Sequence, residues 1–367
     1  MTRNNPFEDS IFAPDTLYQS GKRISLYPTE LELIRGQIIR ANESTYQRSK
    51  ILMVSSPDSG QGKSHLIAEA MTSQAAISTP VHINLTANSQ CNYGSVLYQI
   101  LSILSDSSPE KPFSSLATIT RSLFADLICN LVTDEIVPVQ NKSTAIDGLN
   151  KHYDKMLNLK DNSSLVANWF KNNITALFPH LVTALSDKTG LPNESCEFWI
   201  EILYGCELDD PELIKKEILL LNEDDARSRI AEFNRCIMRD QSLILIFDHL
   251  DLLYNNKEQS LKVTQLLTDI AQQSVVPLVI LSINDDLWNS TFANAIPSAI
   301  RDRINERNIR LSGISIRSAE NLIKYRMECA GIDTRTTHNF IGSLELKKLY
   351  QRSPKDGLPS PRQVLRM

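Results

Sequence analysis

The sequence predicts an α/β protein with a parallel five-stranded sheet, a large helical insertion and a C-terminal bundle of helices. Two observations lead to this fold class. Short, continuous apolar runs, which are typical of strands buried on both faces, alternate with segments of helical period. A long stretch with only helical periods separates the second apolar run from the third. Alternating strands and helices favour a parallel sheet that is covered by helices on both faces.

Five apolar runs are predicted to form the sheet. Each run is short and is bounded by polar or turn-forming residues, and the run that ends in Asp248 is the most apolar of the chain. In chain order they are ILMVS (51–55), PVHINL (80–85), SLILIFD (242–248), VVPLVILSI (275–283) and the weaker RNIRL (307–311).

Helical periods fill the segments between and after these runs. Pro28 opens a predicted helix that continues to residue 41, and residues 63–74 follow the first strand with helical character. Between 94 and 240, four periodic segments are separated by polar breaks at 105–112, 140–163 and 186–194. A crossover between parallel strands needs only about a dozen residues, so this stretch is predicted to be a helical insertion.

The predicted domain organisation follows from these patterns. A polar, irregular arm covers 1–23, and the α/β core covers 24–93 and 241–312. The helical insertion covers 94–240, and a helical lid covers 313–367. The chain stops inside an apparent helix at Met367, so we expect the lid to be part of a longer protein.

Composition places the chain among ordinary globular proteins, with 42% hydrophobic and 22% charged residues. No apolar run reaches the ~18 residues of a membrane span, and the first residues lack the features of a secretory signal. The six cysteines lie far apart without a C-x-x-C pair, and the six histidines are equally dispersed. We therefore expect a cytoplasmic protein with reduced thiols, no membrane contact and no cysteine or histidine metal cluster.

Charge is distributed unevenly along the chain. Residues 299–367 contain 14 Lys or Arg against 7 Asp or Glu, a net +7, whereas residues 1–298 carry a net −12. Such a basic segment is typical of a face that binds phosphate or nucleic acid, and also of a solvated helical surface. Nucleic acid is therefore a possible partner, although the segment contains no basic stretch interleaved with aromatic residues.

The loop SPDSGQGKS, residues 56–64, joins the first predicted strand to a helix. A phosphate-binding loop requires this order, because its N–H groups lie at the positive end of the helix. Gly60 and Gly62 permit close backbone approach, Lys63 would contact the outer phosphates, and Ser64 would bind Mg²⁺. Pro57 stands where the pattern G-x-x-x-x-G-K-[ST] has its first glycine, but the N–H that it removes lies at the loop entrance, away from the phosphates. The predicted nucleotide-binding residues here are Pro57, Asp58, Ser59, Gly60, Gln61, Gly62, Lys63, Ser64 and His65.

A carboxylate ends the most apolar strand. Burial of an unpaired charge is costly, so Asp248 at the end of such a strand calls for a reason. The carboxyl ends of parallel strands form the edge at which open sheets bind ligands, so Asp248 is expected beside the loop. There it would hold Mg²⁺ together with Ser64. The alternative is an aspartate that merely begins a loop. This alternative fits less well, because two apolar strands are followed by the expected polar residues, in the order that a phosphate site requires.

Five landmarks together resemble those of AAA+-type P-loop ATPases, most closely the initiator and STAND-like branches. They are residues 57–64, the strand ending in Asp248, the strand ending in Ser282-Ile283-Asn284, the pair Arg301 and Arg303, and SPRQVLR (360–366). The similarity covers residues 24–85 and 241–367 and leaves the 94–240 stretch without a counterpart. It implies a P-loop NTPase sheet, binding of ATP and ADP with Mg²⁺, and ATP hydrolysis in a homo-oligomer.

The resemblance also implies roles for single residues. Asn284 matches the residue that orients the attacking water or reads the γ-phosphate. Arg362 matches the lid arginine that reaches the phosphates of its own subunit. Arg301 or Arg303 matches the arginine finger that completes a neighbouring subunit's site. Because they are two residues apart on a helix, these two arginines cannot face the same way.

One departure from the family pattern concerns hydrolysis. Directly after the Mg²⁺ aspartate the family commonly has a glutamate that activates water, and this chain has His249. Asp251 completes a D-x-x-D pattern, which resembles the STAND-like arrangement in which the later acid serves. We therefore expect Asp251 to position water, with His249 as the second candidate or as a structural histidine.

Two classes of function follow from these predictions. The first is an oligomerising ATPase that remodels or recruits a protein or nucleic-acid partner. The second is a nucleotide-gated scaffold with little turnover, which the histidine at position 249 favours. A P-loop kinase is a third class, against which the long insertion, Asn284 and the arginine-bearing lid argue. The insertion is expected to bind the protein partner.

Overall fold

The structure confirms an α/β fold with a five-stranded sheet in which all strands are parallel. The computed structural model describes residues 24–43, 49–85, 91–106, 113–208, 217–218, 220–237, 241–254, 256–344, 346–352 and 358–366. The predicted arm, 1–23, lies outside these residues. The strands are β1 (Lys50–Ser56), β2 (Ser78–Ile83), β3 (Ser242–Phe247), β4 (Leu278–Asn284) and β5 (Asn308–Arg310), in the spatial order β2-β3-β4-β1-β5.

Side chains on both faces of the sheet are buried. On one face, Leu52 and Ile280 belong to a core that includes residues of the helices Pro28–Glu43 and Lys63–Ser73. The side chains that alternate with them, such as Met53 and Leu281, are also at most 1% exposed. Burial on both faces is the reason why these strands are continuous apolar runs rather than alternating ones.

The fourth strand begins later than its apolar run predicts. The N–H groups of Val275 and Val276 donate to the Ser49 hydroxyl, at 3.0 and 3.1 Å, instead of joining the sheet. Pro277 has no N–H to donate. The parallel ladder therefore starts at Leu278, which pairs with Lys50 of β1.

Contacts divide the chain into two compact units, residues 1–89 with 244–367 and residues 90–243. The first unit contains helices before, between and after the strands of the sheet. These are Pro28–Glu43, Lys63–Ser73, Lys257–Gln272, Ser298–Asn305, Ile316–Cys329, Thr334–Ser343, Leu346–Arg352 and Pro361–Leu365, with helical turns at Leu250–Leu253, Asp285–Leu287 and Trp288–Phe292.

The second unit is helical. Its helices are Tyr93–Ser105, Ser115–Thr133, Lys142–Met156, Leu165–Thr189, Asn193–Leu208 and Glu223–Ile237. The polar break predicted at 140–163 is wrong, because a helix occupies most of it. Asn141 caps this helix by accepting a hydrogen bond from the Thr144 N–H at 3.0 Å. Among the helix residues, all of which the structure describes, only Leu149 is buried, so the sequence has no apolar period there.

Two findings bear on the expectations from composition. Within the described ranges, the helix Ser115–Thr133 is long and apolar enough to cross a membrane, but 61% of its apolar window is buried inside the protein. The helix also carries Arg121, whose guanidinium forms a buried ion pair with Glu207 at 2.9 Å. It is therefore a core helix of the second unit. All six cysteines lie in the described ranges and none of them forms a disulfide, in agreement with the prediction of reduced thiols.

A close backbone contact fixes the C-terminal segment on the first unit. The Leu358 N–H donates to the Ser312 carbonyl, and the Ile314 N–H donates to the Pro359 carbonyl, both at 3.0 Å. Gly313 between them has φ of 101°, and a Cβ atom there would lie 2.1 Å from the Leu358 carbonyl oxygen. Only glycine fits this position.

Candidate functional site

The loop between β1 and the helix Lys63–Ser73 contains two left-handed glycines and several backbone N–H groups from which no described residue accepts a hydrogen bond. Gly60 and Gly62 adopt left-handed conformations, with φ of 82° and 92°. In the part of the chain that the structure describes, no residue accepts a hydrogen bond from the N–H groups of Gly60, Gly62 or Ser64. Unpaired N–H groups at the start of a helix attract anions, because the helix dipole is positive there.

Three carbonyl groups of this loop, in contrast, accept hydrogen bonds. The Ser56 hydroxyl donates to the Asp58 carbonyl at 2.7 Å. The Tyr27 hydroxyl donates to the Gln61 carbonyl at 2.6 Å, and the backbone N–H of Arg362 donates to the Gly60 carbonyl at 3.4 Å. The loop is therefore anchored through its acceptors, while the N–H groups just described stay available.

Lys63 lies beneath this loop, and only 8% of its surface is exposed. Its ammonium group donates to the Ser56 hydroxyl at 2.9 Å and to the Asn284 side-chain oxygen at 2.6 Å. These two acceptors meet because Ser56 and Asn284 are paired residues at the carboxyl ends of β1 and β4. The predicted lysine and the predicted polar strand end are thus in direct contact.

Ser64 and Asp248 are also in contact. The Ser64 hydroxyl donates to the Asp248 carboxylate at 2.5 Å, although 184 residues separate the two in sequence. Burial of Asp248 acts to raise the pKa of its carboxyl, but the hydroxyls of Ser282 and Ser64 and the nearby His249 outweigh it. The net shift of that pKa is downward, so Asp248 is a carboxylate at neutral pH.

Two histidines flank the carboxylate. His82 on β2 is mostly buried, and burial lowers its pKa to about 4; the Asp248 charge opposes this shift and His249 adds to it. His249 has φ of 58°, a left-handed conformation that costs a non-glycine residue about 1–2 kcal/mol. Its N–H donates to Asp248 Oδ1 at 2.8 Å, and its ring is 51% exposed. The strained backbone thus closes a tight contact with Asp248 and leaves the ring of His249 at the surface.

Comparisons with known proteins give no assignment. A scan against models of protein families matches none, and a search of curated proteins finds no similar sequence. The geometry of this site is therefore the basis for proposing a function.

The three arginines singled out in the sequence lie in different settings. Arg362 lies against the loop, with Nη1 3.2 Å from the Ser59 hydroxyl and its side chain over Gly60. Arg301 donates to the Ala293 carbonyl at 3.2 Å. Arg303 is exposed, and it contacts no hydrogen-bonding or acidic partner among the described residues. Of the two arginines on this helix, Arg303 is therefore the one whose side chain no described residue binds.

The remaining predicted residues lie near the loop or outside the described part of the chain. Pro57, Asp58 and Ser59 are exposed at the loop entrance. The His65 ring donates from Nε2 to the Ile24 carbonyl at 2.8 Å, so it faces the segment before the first helix. The side chain of Asp251 lies outside what the structure describes.

Several residues of the site were not among the predicted site residues. Tyr27 and His82 belong to segments that read only as a helix start and an apolar strand. Ser56 and Ser282 are hydroxyl residues near the ends of β1 and β4. Their position near strand ends that were predicted to bind phosphate is the one signal that would have identified the two serines.

The residues present fit a magnesium ion. Ser64 and Asp248 offer two oxygen donors, one of them charged, that already converge on each other. Among the described residues, no group of three or more His, Cys, Asp or Glu side chains can hold a metal ion. Mg²⁺ needs no such group, since it is commonly bound by one or two protein oxygens together with substrate phosphates.

Proposed function

We propose that the chain is a Mg²⁺-dependent ATP-binding protein, an AAA+-like P-loop ATPase that couples the nucleotide to remodelling or recruitment of a partner. One observation carries this proposal. N–H groups without acceptors among the described residues, the Lys63 ammonium and the Ser64–Asp248 pair all lie at the carboxyl edge of a parallel sheet. Positive and hydrogen-bonding groups at that edge suit a polyphosphate.

Different residues of the site would bind the phosphates and the cation. The N–H groups of Gly60, Gly62 and Ser64 would bind phosphate oxygens, and Lys63 would exchange its bonds to Ser56 and Asn284 for a phosphate oxygen. A cation held by Ser64 and Asp248 would neutralise the charge that develops on the phosphates. The choice of adenine rests on the family resemblance alone.

Hydrolysis needs a positioned water in addition to charge neutralisation. Asn284 becomes available for that water once Lys63 turns to a phosphate, because its side-chain oxygen is the present partner of Lys63. Asp251 is proposed as the carboxylate that accepts the proton of the attacking water, with His249 as the second candidate. The Nε2 atom of His249 lies 3.9 Å from Asp248 Oδ2, so its ring is near the cation-binding carboxylate.

A nucleotide-gated scaffold with little turnover is the second candidate function. The observation that favours it is His249, which stands at the position of the expected acid with its backbone strained. In a scaffold, ATP and ADP would shift the population of the assembled state through their different contacts. The helical unit, residues 90–243, is proposed as the region that binds a protein partner in either case.

Binding and turnover measured on the same sample test both candidates. Lys63→Ala should raise the Kd for ATP with Mg²⁺ by about 10- to 150-fold, since it removes a charge-assisted contact to phosphate. Lys262→Ala is the matched control, because Lys262 is an exposed helix lysine paired with Glu258. Calorimetry gives the Kd values, and phosphate release gives turnover.

The outcomes separate the proposals. Binding that requires Lys63, with turnover that Asp251→Ala abolishes, supports the ATPase. Binding that requires Lys63 without turnover supports the scaffold. Wild-type protein that does not bind ATP at millimolar concentration would refute both.

A further inference from the structure

We infer that Tyr27 is a positioning residue that sets the direction of the Gly62 N–H group, so that it can bind a phosphate oxygen. This inference rests on the proposed function. It concerns a residue outside the loop, just before the helix Pro28–Glu43, that the family resemblance does not single out.

The planar peptide bond between Gln61 and Gly62 links the direction of the Gly62 N–H to that of the Gln61 carbonyl. In a trans peptide the C=O and N–H groups point in opposite directions, and the chain contains no cis peptide among its described residues. The Tyr27 hydroxyl holds the Gln61 carbonyl at 2.6 Å. The N–H of the same peptide unit belongs to Gly62, so it must point away from Tyr27. This N–H is one of those without an acceptor among the described residues.

Gly62 cannot set this orientation by itself. With φ of 92° it adopts a conformation that only glycine reaches readily, and glycine has the greatest backbone freedom of all residues. The side chain of Gln61 does not help, since its buried Oε1 atom has no hydrogen-bond partner in the described structure. Among the residues that the structure describes, Tyr27 is therefore the one that restrains this flexible peptide unit by a hydrogen bond.

Tyr27 is itself rigidly held. Only 5% of its surface is exposed, and its carbonyl accepts the Leu31 N–H at 2.9 Å at the start of the helix. Its ring packs at Gly62, where a Cβ atom would lie 3.4 Å from Tyr27 Cε2. Burial, together with Glu30 and Tyr350, raises the pKa of the Tyr27 hydroxyl, which therefore remains a hydrogen-bond donor at physiological pH.

Tyr27→Phe tests the inference, because it removes the hydroxyl and keeps the ring. Tyr350→Phe is the matched control, since it removes a similar 2.7 Å bond from a tyrosine hydroxyl to the Ile314 carbonyl. We expect Tyr27→Phe to raise the Kd for both ATP with Mg²⁺ and inorganic pyrophosphate by about tenfold. The control should leave both Kd values unchanged. Pyrophosphate shows that the loss lies at the phosphates and not at the base.

Hydrogen exchange in the absence of ligand gives a second measurement that does not depend on affinity. Exchange in the peptide covering residues 57–64 should become faster in Tyr27→Phe and stay unchanged in Tyr350→Phe. If the wild type binds both ligands and Tyr27→Phe binds them with the same Kd values as the wild type, the inference is overturned and the proposed function stays intact. Absence of wild-type binding to both ligands would overturn the two together.

Discussion

At the scale of single residues, the site is built from polar groups that the fold keeps buried. Asp248, Lys63 and Ser56 are all at most 8% exposed, and each forms a hydrogen bond with another side chain of the site. Such burial strengthens their interactions, because the local dielectric constant is lower than that of water. Burial also makes the free energy of unfolding depend on the protonation of neighbouring groups.

His82 gives the clearest prediction at this scale. Burial lowers its pKa from 6.5 to about 4, so the unfolded chain takes up a proton more readily than the folded protein between these values. Its contribution to stability is therefore complete above pH 7 and is lost as the pH falls through 6.5 towards 4. Between pH 7.5 and pH 5 the loss should be about 2 kcal/mol of unfolding free energy.

Chemical denaturation of the wild type and of His82→Gln at these two pH values measures the effect. The variant should lose less stability on acidification than the wild type, by about the same 2 kcal/mol. His180→Gln is the control, because it makes the same replacement at an exposed position on a helix of the second unit. An identical pH dependence in wild type and His82→Gln would contradict the prediction.

At the scale of elements, the site depends on how the C-terminal segment is fixed. The segment 358–362 is bound to residues 312–314 by two backbone hydrogen bonds, and Arg362 at its end lies on the loop at Gly60. The contact leaves no room for a side chain at Gly313. Stability of this segment is therefore linked to the loop that holds Lys63.

Replacement of two glycines by alanine tests this element. Gly313→Ala should destabilise the protein by at least ~2 kcal/mol, because the added Cβ collides with the Leu358 carbonyl and φ is 101°. Gly36→Ala should instead stabilise it by ~0.5–1 kcal/mol, since Gly36 lies within the helix Pro28–Glu43 with no atom within 4 Å of the added group.

Thermal or urea unfolding of both variants gives these values. Gly313→Ala should also weaken ATP binding, because it displaces Arg362 from the loop. A Gly313→Ala protein as stable as the wild type would show that the backbone contact between 312–314 and 358–359 does not hold in solution.

At the scale of the whole molecule, an arginine finger would make the proposed ATP turnover a property of an assembly of subunits. Arg303 is exposed without a described partner, whereas Arg301 is bonded within its own subunit. Arg303→Ala should therefore lower turnover by about 10³-fold and leave the Kd for ATP unchanged. Arg301→Ala is the control and should turn over at nearly the wild-type rate.

Two measurements check that the finger acts between subunits. Wild-type turnover per subunit should rise with protein concentration, as oligomers form. A mixture of Arg303→Ala with Lys63→Ala should hydrolyse more ATP than either variant alone. In mixed oligomers, the Arg303→Ala subunit retains the Lys63 loop and the Lys63→Ala subunit retains the Arg303 side chain. Turnover independent of concentration, and no gain on mixing, would exclude an intersubunit role for Arg303.

Much of the fold could be predicted from local patterns. Each of the five predicted runs overlaps one of the five strands. The inner strands β1, β3 and β4 are apolar runs because they are buried on both faces, whereas in the edge strand β5 only Ile309 is buried. The loop after β1 was recognisable because glycine, lysine and serine occur there at fixed spacing. The helix Lys142–Met156 escaped prediction because it buries one residue and so leaves no apolar period.

The strands, the glycine loop and the polar groups that we propose to approach phosphate could be predicted from the sequence alone, since these depend on residues close together in the chain. Tertiary structure decided which groups meet. The order β2-β3-β4-β1-β5 brings Asn284 to Lys63 across 221 residues and Asp248 to Ser64 across 184. It also brought Tyr27 to the Gln61 carbonyl and His82 to Asp248. These contacts depend on strand order and packing, which no local spacing of residues encodes.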